Sequence, residues 1–221
     1  MVYVTGDTHG NIERFKEKIL KKLKKGDTLI ICGDFGFLWN DSRQEKNNLK
    51  KLSNLKYNVA FVDGCHENFN MLYSKPIDTW NGGKVHVIAD NIFHLMRGQI
   101  YNIDGFKIFT FGGGHSEDVE IRKDTKSWYE QEEPTPQEVI EGANNLVSVD
   151  YKLDYIITHE PPFSIKKCLN VEFSHRLECD EFFEEITQNC TFEHWFFGKY
   201  HMNKFIPPRF SALFDEIVPL E

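Results

Sequence analysis

Asp7, His9, Asp34, His66, His159 and His201 are the residues whose types and spacing suit chemistry, because each follows a short run of β-forming residues and most stand close to a glycine. Asp beside Gly after a strand is ordinary turn chemistry, so neither aspartate alone signifies more than a turn. Turn formation gives no reason for histidine to recur at the same kind of position, yet His9, His66, His159 and His201 do. Strand ends of this kind converge on one edge of a sheet. Carboxylates and imidazoles gathered there suit a divalent transition metal (Mn, Fe, Zn or Ni) better than Ca or Mg. Glycine next to a ligand lets the backbone turn sharply and approach an ion closely.

To position those residues the chain needs strands alternating with helices. The run from Val2 to Val4 leads through Gly6-Asp7 into a helix expected over 12–23, where Ile12, Phe15, Ile19, Leu20 and Leu23 keep helical spacing. A strand over 28–32 ends in Gly33-Asp34, and another over 59–62 ends in Asp63-Gly64-Cys65-His66-Glu67. Both follow polar segments that read as helical. Runs over 85–88, 92–96, 100–103 and 107–111, parted by turn signals such as Asp104-Gly105, read as hairpins. A helix over 137–146 precedes a strand over 155–158 that runs into His159-Glu160-Pro161-Pro162. A further helix within 176–188 precedes a strand over 194–197 that runs into Gly198-Lys199-Tyr200-His201. A last hairpin is broken by Pro207-Pro208. With no repeat and no linker, residues 1–221 read as one domain of the α/β class.

Asp7-Thr8-His9, Gly33-Asp34, Gly64-Cys65-His66-Glu67, His159 in THEPP, and Gly198-Lys199-Tyr200-His201 resemble, in order, the five motifs of the calcineurin-like metallophosphoesterase family. The resemblance spans nearly the whole chain. It implies a four-layer α/β/β/α sandwich of two mixed sheets flanked by helices. It also implies hydrolysis of a phosphoester, here a small phosphodiester or nucleotide, by metal-activated water. In such a site Asp7, His9, Asp34 and His201 hold a first cation, with Asp34 bridging to a second. The second cation normally takes an Asn from the third motif, the His of the fourth, and the first His of a GHxH fifth motif. Here Cys65 stands in the Asn position and Lys199 in the His position, which leaves His159.

A cysteine thiolate ligates softer ions, whereas a protonated lysine ligates none and repels a dication. The first site is therefore expected to be occupied and the second weak or empty, with the Lys199 ammonium available to a phosphoryl oxygen. The same two departures support an alternative, a catalytically impaired pseudo-phosphoesterase that binds a phosphorylated ligand or a protein partner. By the resemblance, His66 protonates the leaving oxygen or stabilises the charge developing there, and Glu67 orients His66. The segment Gly112-Gly113-Gly114-His115-Ser116-Glu117-Asp118 through Arg122 resembles a Gly-rich loop of small bacterial members, which makes Arg122 a phosphate contact.

Other features read more plainly. His115 is expected to face water, and His86, His94, His175 and His194 to be structural or surface residues. Glu130, Glu132 and Glu133 before Pro134 read as a solvated loop, while Trp128 and Tyr129 either stack on a base or pack a lid. A net charge of −8 provides no positive field to gather long nucleic acid, which disfavours a nuclease acting on long strands. The lysines from Lys16 to Lys25 fit the solvated face of the first helix. Five cysteines, odd in number and without close pairing, fit reduced thiols and a cytoplasmic location. The start, MVYVTGD, lacks the character of a signal peptide, and no run is long and apolar enough to span a membrane.

Overall fold

A computed structural model describes residues 1–171 and 176–221. Among the described residues, thirteen strands form two mixed sheets. In the seven-stranded sheet, β1 (Val2–Thr5), β2 (Thr28–Ile31), β3 (Asn58–Phe61) and β6 (Ile92–Leu95) run parallel. It is extended by antiparallel β5 (Gly83–Ala89) and β4 (Ile77–Trp80) at one edge and β13 (Ile217–Pro219) at the other. In the six-stranded sheet, β8 (Phe106–Phe111), β9 (Tyr155–Thr158), β10 (His194–Phe197) and β12 (Phe210–Ala212) run parallel. Its antiparallel edges are β7 (Gln99–Ile103) and β11 (Lys204–Ile206).

Alternation along the strands sets the layers. Val4, Ile30 and Ala60 point inward and meet Ile108, Ile157 and Phe196 of the second sheet. Their neighbours Leu29, Ile31, Val59 and Phe61 point outward, under Phe15, Leu20, Leu52, Phe69 and Leu72. That outer layer contains α1 (Arg43–Ser53) and α2 (Phe69–Tyr73). On the far side Phe109, Phe111, Ile156, Trp195 and Phe197 meet α4 (Pro136–Ser148), α5 (Phe163–Leu169) and α6 (Cys179–Asn189). The order is helix, sheet, sheet, helix, as expected. The central strands are buried on both faces, which is why they read as continuous apolar runs.

Several expectations are refined. The helix over 12–23 is instead two short 3-10 turns, Ile12–Lys16 and Leu20–Lys22, broken by extended backbone at Glu17. Phe15, Leu20 and Leu23 are buried as the spacing implied and Ile12 and Ile19 partly so, but lysines three and four apart repel along one continuous helix face. The four middle runs do form two hairpins, although they belong to different sheets: β5–β6 to one and β7–β8 to the other. The helix expected at 137–146 gains a turn because Thr135 and Glu138 cap it reciprocally and Pro136 stands in its first turn. His175 lies outside the described residues. No helix among the described residues is long and apolar enough to cross a membrane.

Candidate metal centre

Each expected site residue follows the C-terminal end of a parallel strand, where α/β sheets present their loops. The sequence pattern places them along one sheet edge; they lie instead at the seam between two sheets. The loops after β1, β2 and β3 bring Asp7, His9, Asp34, Cys65 and His66, and those after β9 and β10 bring His159, Lys199 and His201. The two edges meet closely: Lys199 N donates to Asp7 Oδ2 at 3.0 Å, and His159 Nε2 is 3.8 Å from Asp34 Oδ1. Such closeness requires glycine. A Cβ on Gly33, whose φ is +113°, would sit 2.0 Å from His159 Nδ1, and one on Gly64 would sit 2.0 Å from Asp34 Oδ1. His9, Asp34, Lys199 and His201 all adopt positive φ without being glycine, so backbone strain concentrates at the site.

One ligand atom each from Asp7, His9, Asp34 and His201 lies within 4.8 Å of all the others. His9 Nε2 and His201 Nε2 face each other at 2.8 Å, and His201 Nε2 is 3.3 Å from Asp7 Oδ2. Both carboxylates are buried while the imidazoles are partly exposed, so the cluster opens to solvent on the histidine side. Asp7 Oδ1 is buried and makes no hydrogen bond among the described residues, with His159 Nδ1 3.6 Å away. A buried carboxylate oxygen without a hydrogen bond is costly unless a cation completes it. Two carboxylates and two imidazoles are therefore a fitting donor set for a divalent transition metal. Burial alone would raise the Asp34 carboxyl, but His159 and His66 outweigh it and hold Asp34 far below the usual carboxylate range.

The neighbouring position, where the resemblance implies a second cation, is built differently. Lys199 Nζ donates to Cys65 Sγ at 3.0 Å and to the carbonyl of His115, and stands 3.7 Å from Glu160 Oε1. Burial would lower its pKa, but Cys65 and Glu160 outweigh that and keep it charged. Burial and Asp34 push the Cys65 thiol up, whereas Lys199 and hydrogen bonds from His159 and His66 bring it down to about 7. Asp34, Cys65 and His66 present a second group of close ligand atoms. His159, anchored through Nδ1 to the Cys32 carbonyl at 2.9 Å, turns Nε2 towards Cys65 Sγ at 3.7 Å. Anchoring of that kind fixes which nitrogen is offered.

His66 Nδ1 bonds Asp34 Oδ2 at 3.0 Å, and its Nε2 is 3.8 Å from Asp118 Oδ1. The bond to Asp34, then Cys65, raises its pKa to about 10.

Glu67 and Arg122 differ from expectation. Glu67 is buried and accepts from the backbone N–H of Phe35 at 2.6 Å and from that of Gly36, so it shapes the loop after β2 and leaves the His66 ring to Asp34. Arg122, on α3 (Val119–Asp124), is buried with both terminal nitrogens engaged. It donates to Glu132 Oε2 at 2.8 Å, to Ser116 Oγ, to the Cys65 carbonyl at 3.0 Å and to the Ser127 carbonyl at 2.7 Å, while its buried Nε makes no hydrogen bond among the described residues. A guanidinium whose terminal nitrogens are so committed positions the Cys65 loop and the Gly-rich loop and presents no open fork to a phosphate. Glu132, expected in a solvated loop, is fully buried as its counter-ion. Pairing explains the burial of both charges.

His115 pairs with Glu133, and Tyr129 packs on Phe69, while Lys123 lies over Trp128. His86 and His94 are buried and form a relay to Asp63, which Arg97 also holds. The relay supports the Asp63-Gly64-Cys65 turn from beneath; in sequence only Asp63, beside a motif glycine, hints at it. Asp118 lies inside the Gly-rich segment, and nothing in its sequence context marks it as a neighbour of His66.

A family model described as calcineurin-like phosphoesterase matches residues 1–205. The lariat debranching enzyme of Schizosaccharomyces pombe (strain 972 / ATCC 24843) is 31% identical over 129 residues, covering 52% of this chain. The match covers only 26% of that relative's length. The crystal structure of phosphopantetheinyl hydrolase from Mycobacterium tuberculosis aligns with a TM-score of 0.44 at 16% identity, over 96% of this chain and 89% of that one.

Proposed function

The chain belongs to the calcineurin-like phosphoesterase family, and we propose that it hydrolyses a small phosphodiester or nucleotide with one divalent transition metal and one fixed ammonium. The observation that carries this reading is the convergence of Asp7, His9, Asp34 and His201, with a buried Asp7 oxygen that makes no hydrogen bond among the described residues. Those four residues would hold the cation, which when bound lowers the pKa of water and stabilises charge on a phosphoryl oxygen. Lys199, held charged by Cys65 and Glu160, supplies a fixed positive charge to a phosphoryl oxygen where relatives use a second ion. His66 Nε2–H gives its proton to the leaving oxygen, with Asp34 stabilising the protonated ring from Nδ1. A small phosphorylated substrate suits an acidic chain better than extended nucleic acid.

The test pairs elemental analysis of purified protein with turnover of bis(4-nitrophenyl) phosphate. About one metal per chain and Mn²⁺-stimulated turnover are expected, both lost in Asp34→Asn. About two metals per chain would overturn the asymmetric site. The contact of Lys199 with Cys65 favours one second reading, a binding-only relative that retains its phosphorylated ligand or partner uncleaved. Restoring Asn and His through Cys65→Asn with Lys199→His separates the two. A large rise from negligible turnover supports the binding-only reading, and little change supports the one-metal hydrolase.

A further inference from the structure

We propose that the cavity beside His66 seats a nucleobase, which makes nucleotides the substrate class of this centre; the inference rests on the hydrolytic reading for cleavage of the bound molecule, but not for its binding. The cavity has a volume of about 480 Å³, within the usual range for small-ligand sites, and runs from His9 and His66 along the loop after β2 to the first turns of α1. His66 lines it, so the group seated here adjoins the oxygen that His66 protonates.

The walls select for chemistry. Trp39, half-buried, supplies aromatic surface in front of the core residue Phe37, and Asn40, Gln44 and Asn48 supply amides. Among the described residues no lysine or arginine lines the cavity, so nothing in it calls for a second phosphate. Glu45 is the sole carboxylate, and its two oxygens accept from the backbone N–H groups of Trp39 and Asn40. It therefore offers little to the hydroxyls of a sugar. Asn68 Nδ2 holds the Trp39 carbonyl at 2.7 Å from the other side, so the indole is carried on a loop fixed before any ligand arrives.

Asn48 adds a directed donor. The residue is 7% exposed, its Oδ1 accepts from Gln44 Nε2 at 3.4 Å, and its Nδ2, which is open to water, donates to no group among the described residues. A donor held in place and left to water is one that a ligand acceptor can take over. An aromatic face for stacking beside amides that carry both donors and acceptors matches a planar heterocycle with a mixed hydrogen-bonding edge. A ribose alone has no such face, and a lipid chain would leave the Asn48 donor unmet.

The experiment measures binding without turnover. Adenosine, guanosine, cytidine, uridine and ribose are titrated into the metal-loaded protein by calorimetry, with saturation-transfer NMR to detect which ligand protons touch it. At least one nucleoside is expected to bind roughly tenfold more tightly than ribose, with saturation strongest on its base protons. Trp39→Ala and the isosteric Asn48→Asp should each remove most of that advantage, while Trp39→Phe, which keeps an aromatic face, should retain part of it. Equal binding of nucleosides and ribose, or a nucleoside advantage that survives both Trp39→Ala and Asn48→Asp, would overturn the proposal. Nucleoside binding by a protein that cleaves no phosphoester would defeat the hydrolytic reading and leave this one standing.

Discussion

At the residue scale, Lys199 Nζ and Cys65 Sγ meet at 3.0 Å at the position where the sequence resemblance implies a second cation. The exchange is coupled, since either residue alone would leave a buried charge or a buried donor poorly matched. His66 is the residue whose role is easiest to isolate, because its ring meets Asp34 and Asp118 while the four-residue cation cluster does not need it. Replacing it, as His66→Asn, should lower kcat by about 10²–10⁴-fold. Metal content by elemental analysis should stay at the wild-type level; loss of metal together with rate would mean that the ring is a ligand.

At the element scale, the β5–β6 pair carries a titrating relay. His86 and His94 face each other across the strands, and with His94 Nε2–H donated to Asp63, His94 Nδ1 accepts from His86 Nδ1–H. Burial first, then the electrostatic influence of the adjacent His94, lowers the His86 pKa from 6.5 to about 4. The folded chain thus keeps His86 neutral where the unfolded chain protonates it. Its contribution to stability is complete above pH 6.5 and is lost as pH falls from 6.5 towards 4. Urea unfolding should show a loss of about 1–2 kcal/mol from this group between pH 7 and pH 5. His86→Gln, which keeps a donor for His94, should flatten that part of the profile; an unchanged slope would assign the acid sensitivity to other groups.

At the scale of the whole molecule, the centre joins two sheets that otherwise meet through an apolar layer, so a cation bound there ties their strand ends together. At a concentration near 100 times its Kd, a bound metal adds about 2.7 kcal/mol. For a chain of this length that corresponds to a rise in Tm of roughly 5–10 °C. Mn²⁺ should produce that rise in scanning calorimetry, EDTA should reverse it, and Asp34→Asn should show neither effect. The sequence alone marked the strands that carry the site, because apolar runs are local, and which side chains bear donor atoms at their ends, but it did not mark β4, α2, α3 or α5. It also marked Cys65 and Lys199 as departures from a metal-ligand pattern. Only the tertiary structure decided that the strand ends belong to two sheets, since pairing partners lie far apart in the chain. The same holds for Arg122, which reads as a phosphate fork until Glu132, an apparent loop carboxylate, is found buried against it. The cavity of Trp39 and Asn48 was likewise invisible, because whether a tryptophan or an amide packs, caps or waits for a ligand depends on neighbours that only folding supplies.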